Sequence, residues 1–167
     1  MSIRIGILTI SDRSSRGERP DESGPALADA VEHQGWLVVR SAVVPDEMEE
    51  LVRILTDWAD CDEMDLILTT GGTGFSPRDI TPEATLAVIQ RPCPGLAEAM
   101  RSVSLRITPH AMLSRATAGI RSRTLIINLP GSPKAAVENL AVIIPVLPHA
   151  IQLLRQDPSA EAGHQSI

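Results

Sequence analysis

Short apolar runs rich in Ile, Val and Leu alternate along this chain with stretches whose apolar residues recur every three or four positions. Residues 3–10, IRIGILTI, read as a buried strand followed by a polar loop. Residues 25–34 read as a helix stopped by Gly35, and WLVVRSAVV, 36–44, as a second strand. Pro45 and Asp46 then open a helix in which Met48, Leu51, Val52, Leu55, Trp58 and Ala59 make one buried stripe. DLILTT, 65–70, is the third strand. Thr81 before Pro82 predicts a helix start, with the hydroxyl as the cap and proline in the first turn. A further helix covers 95–108 and ends before Pro109, and residues 115–121 and 123–129 form a pair of strands. Ser132 and Pro133 start the last helical region, which Pro145 and Pro148 divide in two. Alternation of this kind predicts an α/β layered fold with a largely parallel central sheet, in one domain over residues 1–156. The remainder, 157–167, reads as a flexible tail.

Composition narrows the function classes. A chain of 167 residues is long enough to bury a core without staples. Its two cysteines, Cys61 and Cys93, have no metal-type spacing, which predicts a reducing compartment and neither disulfide nor zinc. A net charge of −6 with one Phe, two Trp and no Tyr gives no basic face and few stacking platforms, so no nucleic-acid partner is expected. The N-terminus reaches charged residues too early for a signal peptide, and no apolar run approaches membrane-spanning length. The expectation is a soluble, cytoplasmic protein with no membrane partner.

The chemistry concentrates in three polar loops that leave apolar strands: SDR at 11–13, GGTG at 71–74 and PGSPK at 130–134. Ligands of open α/β sheets bind beyond the carboxyl ends of the strands, so these loops are expected at one edge. Glycine backbones approach phosphate oxygens closely, and the helix N-termini that follow favour anions. Arg13, Arg78 and Lys134 would add charge there, and the reading is an anion pocket for phosphates. GGTG lacks the Gly-Lys-Ser/Thr ending of a P-loop, and Pro77 stands where a dinucleotide fingerprint needs its third glycine. Phosphate chemistry usually takes magnesium, for which Asp79, Asp46 and Asp12 are the candidate carboxylates. Structural readings stay open beside these. Asp46 with Glu49 makes a capping box, Asp79 can pair with Arg78 or form an Asx-turn, the glycines can serve only to turn the chain, and Arg13 and Lys134 can be solvated charges. None of the four histidines has metal-ligand spacing, and no nucleophile elbow is present.

Several longer motifs, in order, carry a resemblance over roughly residues 3–155: ILTISDR, VVPDE, DLILTTGGTGFSPRDITPEAT, PGLAEAMR, SLRITPHAMLSRATAGIR and TLIINLPGSPKA. Together they closely resemble the molybdopterin adenylyltransferases, the MogA/MoaB-type family of molybdenum-cofactor biosynthesis. The resemblance implies a three-layer α/β/α sandwich, a homotrimer, and Mg-ATP-dependent transfer of AMP to the terminal phosphate of molybdopterin with release of pyrophosphate. The adenylylated pterin would pass to a molybdenum insertase. Carried over by motif, Asp79 and Asp46 are the essential acidic residues and the Mg2+ ligands. Gly71, Gly72, Thr73 and Gly74 form the nucleotide and pterin phosphate loop. Ser11, Asp12, Gly131 and Ser132 match other parts of the pocket, with Arg78 and Lys134 assisting. The runner-up is a non-catalytic molybdopterin carrier of the same fold.

Overall fold

The computed structural model describes residues 2–158. Among the described residues six strands form one sheet in the order β2-β1-β3-β6-β5-β4. They are β1 (Arg4–Ile10), β2 (Leu37–Val44), β3 (Leu66–Thr70), β4 (Arg91–Pro92), β5 (Ala118–Arg121) and β6 (Thr124–Leu129). β2, β1, β3 and β6 run parallel, and β5 and β4 add an antiparallel edge. The expected largely parallel sheet is therefore present, with an antiparallel extension built on the 115–129 strand pair.

The two faces of the sheet follow from residue alternation along each strand. Ile5 and Ile7 of β1, Leu66 and Leu68 of β3, and Leu125 and Ile127 of β6 belong to one core cluster. It is covered by α2 (Ser23–Glu32), α5 (Pro94–Leu105), α6 (Pro133–Ile143) and α7 (Leu147–Leu154). Leu8, Ile10, Ile67 and Ile126 point the other way, against α3 (Met48–Asp60) and α4 (Thr81–Val88). Helices on both faces give the three-layer α/β/α sandwich. Because β1, β3 and β6 are covered on both sides, they read as unbroken apolar runs rather than as alternating ones. In α3 the stripe holds at Leu51, Leu55, Trp58 and Ala59, while Met48 is exposed.

Several boundaries differ from expectation for identifiable reasons. α2 begins two residues earlier than predicted, at Ser23, because Asp21 Oδ1 accepts from the amides of Ser23 and Gly24 at 3.1 and 3.0 Å. Asp12–Ser15 forms one short helical turn, α1, capped by the Ser11 hydroxyl. The helix from 95 stops at Leu105, and a 3-10 turn, Pro109–Leu113, follows it. β4 is two residues long, too short to leave a pattern. Ser132 caps α6 as expected, and Pro145 and Pro148 separate α6, a 3-10 turn and α7. One expectation is corrected: the helical stretch Pro133–Leu154 is long and apolar enough to cross a membrane. Its apolarity has another use here, since Ala136, Leu140, Ile143, Leu147 and Ile151 are buried in the core. The tail predicted as flexible lies, beyond residue 158, outside the described residues.

At the far end of the sheet from the loops, Asp65 ties three segments together. Its carboxylate accepts from the Arg4 amide at 2.8 Å, from the Arg4 guanidinium, and from the Arg155 guanidinium that follows α7. The side chain is 4% exposed. Burial pushes its carboxyl pKa up, but the hydrogen bonds from Arg4 and Arg155 outweigh that and hold it below the usual value. A depressed folded-state pKa stabilises at pH above the unfolded carboxylate value, and that stability is lost as pH falls through the folded value. Asp65→Ala is expected to lose roughly 3 kcal/mol, because it strands the largely buried Arg155 guanidinium and leaves the Arg4 amide without its partner. A urea midpoint that moves by less than the equivalent of about 1 kcal/mol would show that the triad is idle.

Candidate active site

β1 connects to β2 on one side of itself and pairs with β3 on the other, so the chain reverses its direction of winding between β1 and β3. A crevice opens at such a switch point beyond the strand ends. Here it is a cleft of about 400 Å³ floored by Thr9, Ile10 and Ser11 from the end of β1 and Thr70, Gly71 and Gly72 from the end of β3. Gly131 and Ser132, after β6, form one wall, and Arg19 to Ser23 form another. Asp46 and Asp79 also line it.

The floor depends on glycine at two places. Gly71 has φ +102, and a Cβ there would lie 2.2 Å from the Ile10 carbonyl oxygen. Gly72 has φ +64, and a Cβ would lie 2.3 Å from Thr81 Oγ1 and 3.0 Å from Asp46 Oδ1. Both positions need a left-handed backbone and a close approach, which only glycine supplies without strain. The turn is fixed from outside. The Gly71 amide donates to Leu129 O at 3.2 Å, the Thr81 hydroxyl donates to Gly71 O at 2.8 Å, and the Thr81 amide donates to Gly72 O at 3.1 Å. Thr81 was expected to cap its helix; instead it is the first residue of α4, and its hydroxyl satisfies the buried Gly71 carbonyl. Thr70 and Ser23 hydroxyls donate to Pro130 O and Gly131 O, each at 2.7 Å, joining the walls.

The acidic residues have distinct surroundings. Asp46 does not make the capping box with Glu49, because α3 has Glu47 at its cap position with no side-chain cap bond. Asp46 and Asp12 instead clasp each other. The Asp12 amide donates to Asp46 Oδ2 at 3.0 Å and the Asp46 amide donates to Asp12 Oδ1 at 3.1 Å. That exchange satisfies two loop amides and outcompetes a helix cap. Burial pushes the Asp46 carboxyl pKa up; the Asp12 amide lowers it, while the charges of Asp12 and Asp79 push it up further. Asp12 is held below the usual range, first by its hydrogen bonds from Arg78. Asp79 does not form an Asx-turn, because the Thr81 amide two residues on donates to Gly72 O; its Oδ2 instead reaches back to accept from the Ser76 amide at 2.9 Å.

The cations fall elsewhere. Arg78 donates to both oxygens of Asp12 at 2.9 Å and to Glu47 at 2.7 Å, so the Asp79–Arg78 pair is not formed. Lys134 is exposed with its ammonium 3.8 Å from Glu138, and Arg13 is exposed outside the cleft lining. Thr73 is buried, and neither it nor Gly74 lines the cleft. The basic lining residue is Arg19, which sequence reasoning did not single out, along with Asp21 and Ser23. The Asp-x-Ser-Gly spacing ahead of α2 was the available signal, since a carboxylate two residues before a helix start is a capping pattern.

Among the described residues, no group of three or more His, Cys, Asp or Glu side chains is arranged to hold a metal. Magnesium asks less of the protein, one or two carboxylates together with substrate phosphates. Asp46 and Asp79 fit that requirement. They face one cleft, and Asp46 Oδ1 and Asp79 Oδ1 accept no hydrogen bond among the described residues. Burial first, and the charges of Asp12 and Asp79 after it, keep the Asp46 carboxyl pKa raised.

Fold and cleft together define an α/β domain with an open crevice at its switch point. Residues 6–149 match the family described as "Probable molybdopterin binding domain". The chain belongs to that family, as the motif resemblance implied. It is 43% identical over 155 residues to the molybdopterin adenylyltransferase of Helicobacter pylori (strain J99), covering 92% of this chain and 88% of that one. It is 47% identical over 174 residues to gephyrin of Dictyostelium discoideum, covering 97% of this chain. The chain spans about a quarter of the length of that relative and of the Drosophila melanogaster cinnamon protein. Among solved structures it resembles the MoaB molybdopterin biosynthesis enzyme of Thermus thermophilus, with TM-score 0.88, 52% identity, and coverage of 93% of this chain and 98% of that one.

Proposed function

We propose that residues 1–156 act as one unit that adenylylates molybdopterin with Mg-ATP, giving adenylyl-molybdopterin and pyrophosphate. The observation that carries the reading is the placement of two carboxylates, Asp46 and Asp79, across a cleft floored by Gly71 and Gly72 and walled by Gly131 and Ser132. The adenylyltransferases of similar sequence support the chemistry.

The reaction asks little covalent work of the protein. A terminal phosphate oxygen of the pterin attacks the α-phosphorus of ATP, the bond to the β-phosphate oxygen breaks, and pyrophosphate leaves. Positioning and charge neutralisation do the rest. The left-handed Gly71–Gly72 turn and the N-terminus of α6 at Ser132 offer backbone and dipole partners for phosphate oxygens. Ser11, Asp12, Thr73 and Gly74 hold the loops that carry these groups, with Arg78, bonded to Asp12, and the exposed Lys134 as assisting cations. Asp46 and Asp79 would hold Mg2+, which supplies Lewis-acid neutralisation of the charge developing on the phosphates. A homotrimer, a cytoplasmic location and a molybdenum insertase as acceptor of the product complete the reading.

The direct test is pterin-dependent release of pyrophosphate and appearance of AMP-pterin from purified protein, molybdopterin, ATP and magnesium. ATP turnover without pterin, or tight pterin binding without product, would overturn it. Asp46→Asn separates chemistry from structure. Its raised folded-state pKa means that the Asp46 charge works against folding at neutral pH, while Asn still accepts from the Asp12 amide. The variant is expected to keep or raise its thermal midpoint and to lose about 10²-fold or more in kcat. Undiminished turnover would return Asp46 to a purely structural role.

A further inference from the structure

The geometry points to Arg115 as a positioning residue for Asp79, an inference that rests on the adenylyltransferase reading of the cleft. Arg115 lies in the SLRITPHAMLSRATAGIR motif, between the Pro109–Leu113 turn and β5. It does not line the cleft.

Three interactions run from this one residue to the loop that carries Asp79, and a fourth to the helix that follows it. The Arg115 amide donates to Thr73 O at 2.9 Å. Its Nε donates to Gly74 O at 2.8 Å and its Nη2 donates to Asp79 O at 2.6 Å. Its Nη1 pairs with Glu83 in the first turn of α4, and that contact holds the Glu83 carboxyl pKa below the usual range. The guanidinium thus grips the carbonyls at both ends of residues 74–79. Inside the same segment, the Asp79 carboxylate accepts from the Ser76 amide and the Asp79 amide donates to Ser76 O, each at 2.9 Å. The loop is closed from within by Asp79 and from behind by Arg115.

This arrangement needs the shape of arginine. Two carbonyls and a carboxylate are met at once by a planar fork with fixed donor directions, and a lysine ammonium on a flexible stem cannot hold all three in register. Segment 75–78 is exposed; Arg78 ties its outer side to Asp12 and Glu47, and the Arg115 guanidinium fixes from behind where the Asp79 backbone stands. A displacement of about 1 Å at a reacting centre costs roughly 10²-fold in rate.

R115K tests the inference. It is expected to lower kcat roughly 10²-fold, with KM for ATP and for molybdopterin within about threefold of the parent. Combined with D79N it is expected to add nothing to the loss from D79N alone, since the two substitutions remove the same contribution. Amide hydrogen exchange should quicken over residues 73–80 and stay unchanged in the central strands. An unaltered kcat, multiplicative losses in the double variant, or faster exchange throughout the sheet would each overturn it. The exchange measurement is independent of turnover, so it decides the role of Arg115 even if the wild-type protein forms no AMP-pterin, the result that would sink the adenylyltransferase reading by itself.

Discussion

Asp79→Asn is expected to fold as the parent does and to lose adenylyl transfer by roughly 10²–10³-fold in kcat. Asparagine keeps an oxygen for the Ser76 amide, so the 76–79 turn survives and only the charge disappears. Asp79→Glu should fare no better. A Cβ on Gly74 would lie 2.8 Å from Asp79 Oδ2, which shows how closely the carboxylate is pressed against its own loop. One more methylene cannot be accommodated without moving the charge. The measurement is single-turnover AMP-pterin formation alongside a thermal melt. Full activity of Asp79→Asn would remove Asp79 from the chemistry, and loss of the melt would make the result a folding defect instead.

Gly71→Ala is expected to lower the melting midpoint by roughly 10 °C. The left-handed backbone contributes about 1–2 kcal/mol of strain and the clash with strand β1 about 1–3 kcal/mol, at roughly 2–4 °C per kcal/mol for a chain of this size. The obstacle is backbone, the Ile10 carbonyl at 2.2 Å, and cannot rotate out of the way as a side chain would. Gly17→Ala is the matched comparison. Gly17 also has positive φ, +71, yet a Cβ there would meet nothing within 4 Å. It should show the strain alone. Equal midpoints for the two variants would mean that the ends of β1 and β3 separate without cost, and that the cleft floor is softer than its hydrogen bonds suggest.

The strands DLILTT and TLIINLP, the stripe of α3 and the proline starts of α4 and α6 were legible because local pattern and tertiary fold ask for the same residues. The loops were legible as a set, since topology alone sends the ends of parallel strands to one edge. What the sequence hid was pairing over distance. Asp46 looked like a helix cap, yet its partner is Asp12, on another loop. Arg78 looked like a phosphate ligand, yet Asp12 and Glu47 take its donors. Arg115 carried no local signal because its partners lie at residues 73–83. For Asp46 and Arg115 the choice was made by loop backbone groups in need of partners, and for Arg78 by carboxylates brought near it from two other segments, demands that exist only once the chain is folded.

The central position of β6 has a consequence for how this protein comes into being. β6, from the last third of the chain, sits between β3 and β5 and carries the wall at Gly131 and Ser132. Until residues 124–132 have left the ribosome, β3 has no neighbour on one side and the antiparallel extension has nothing to attach to. At roughly 5–20 residues per second, β3 waits about 3–13 s for that partner. During that interval an apolar strand edge is open to other chains. Closure of the sheet around β3, and of the cleft walled by Gly131 and Ser132, is therefore expected to wait for residues 124–132.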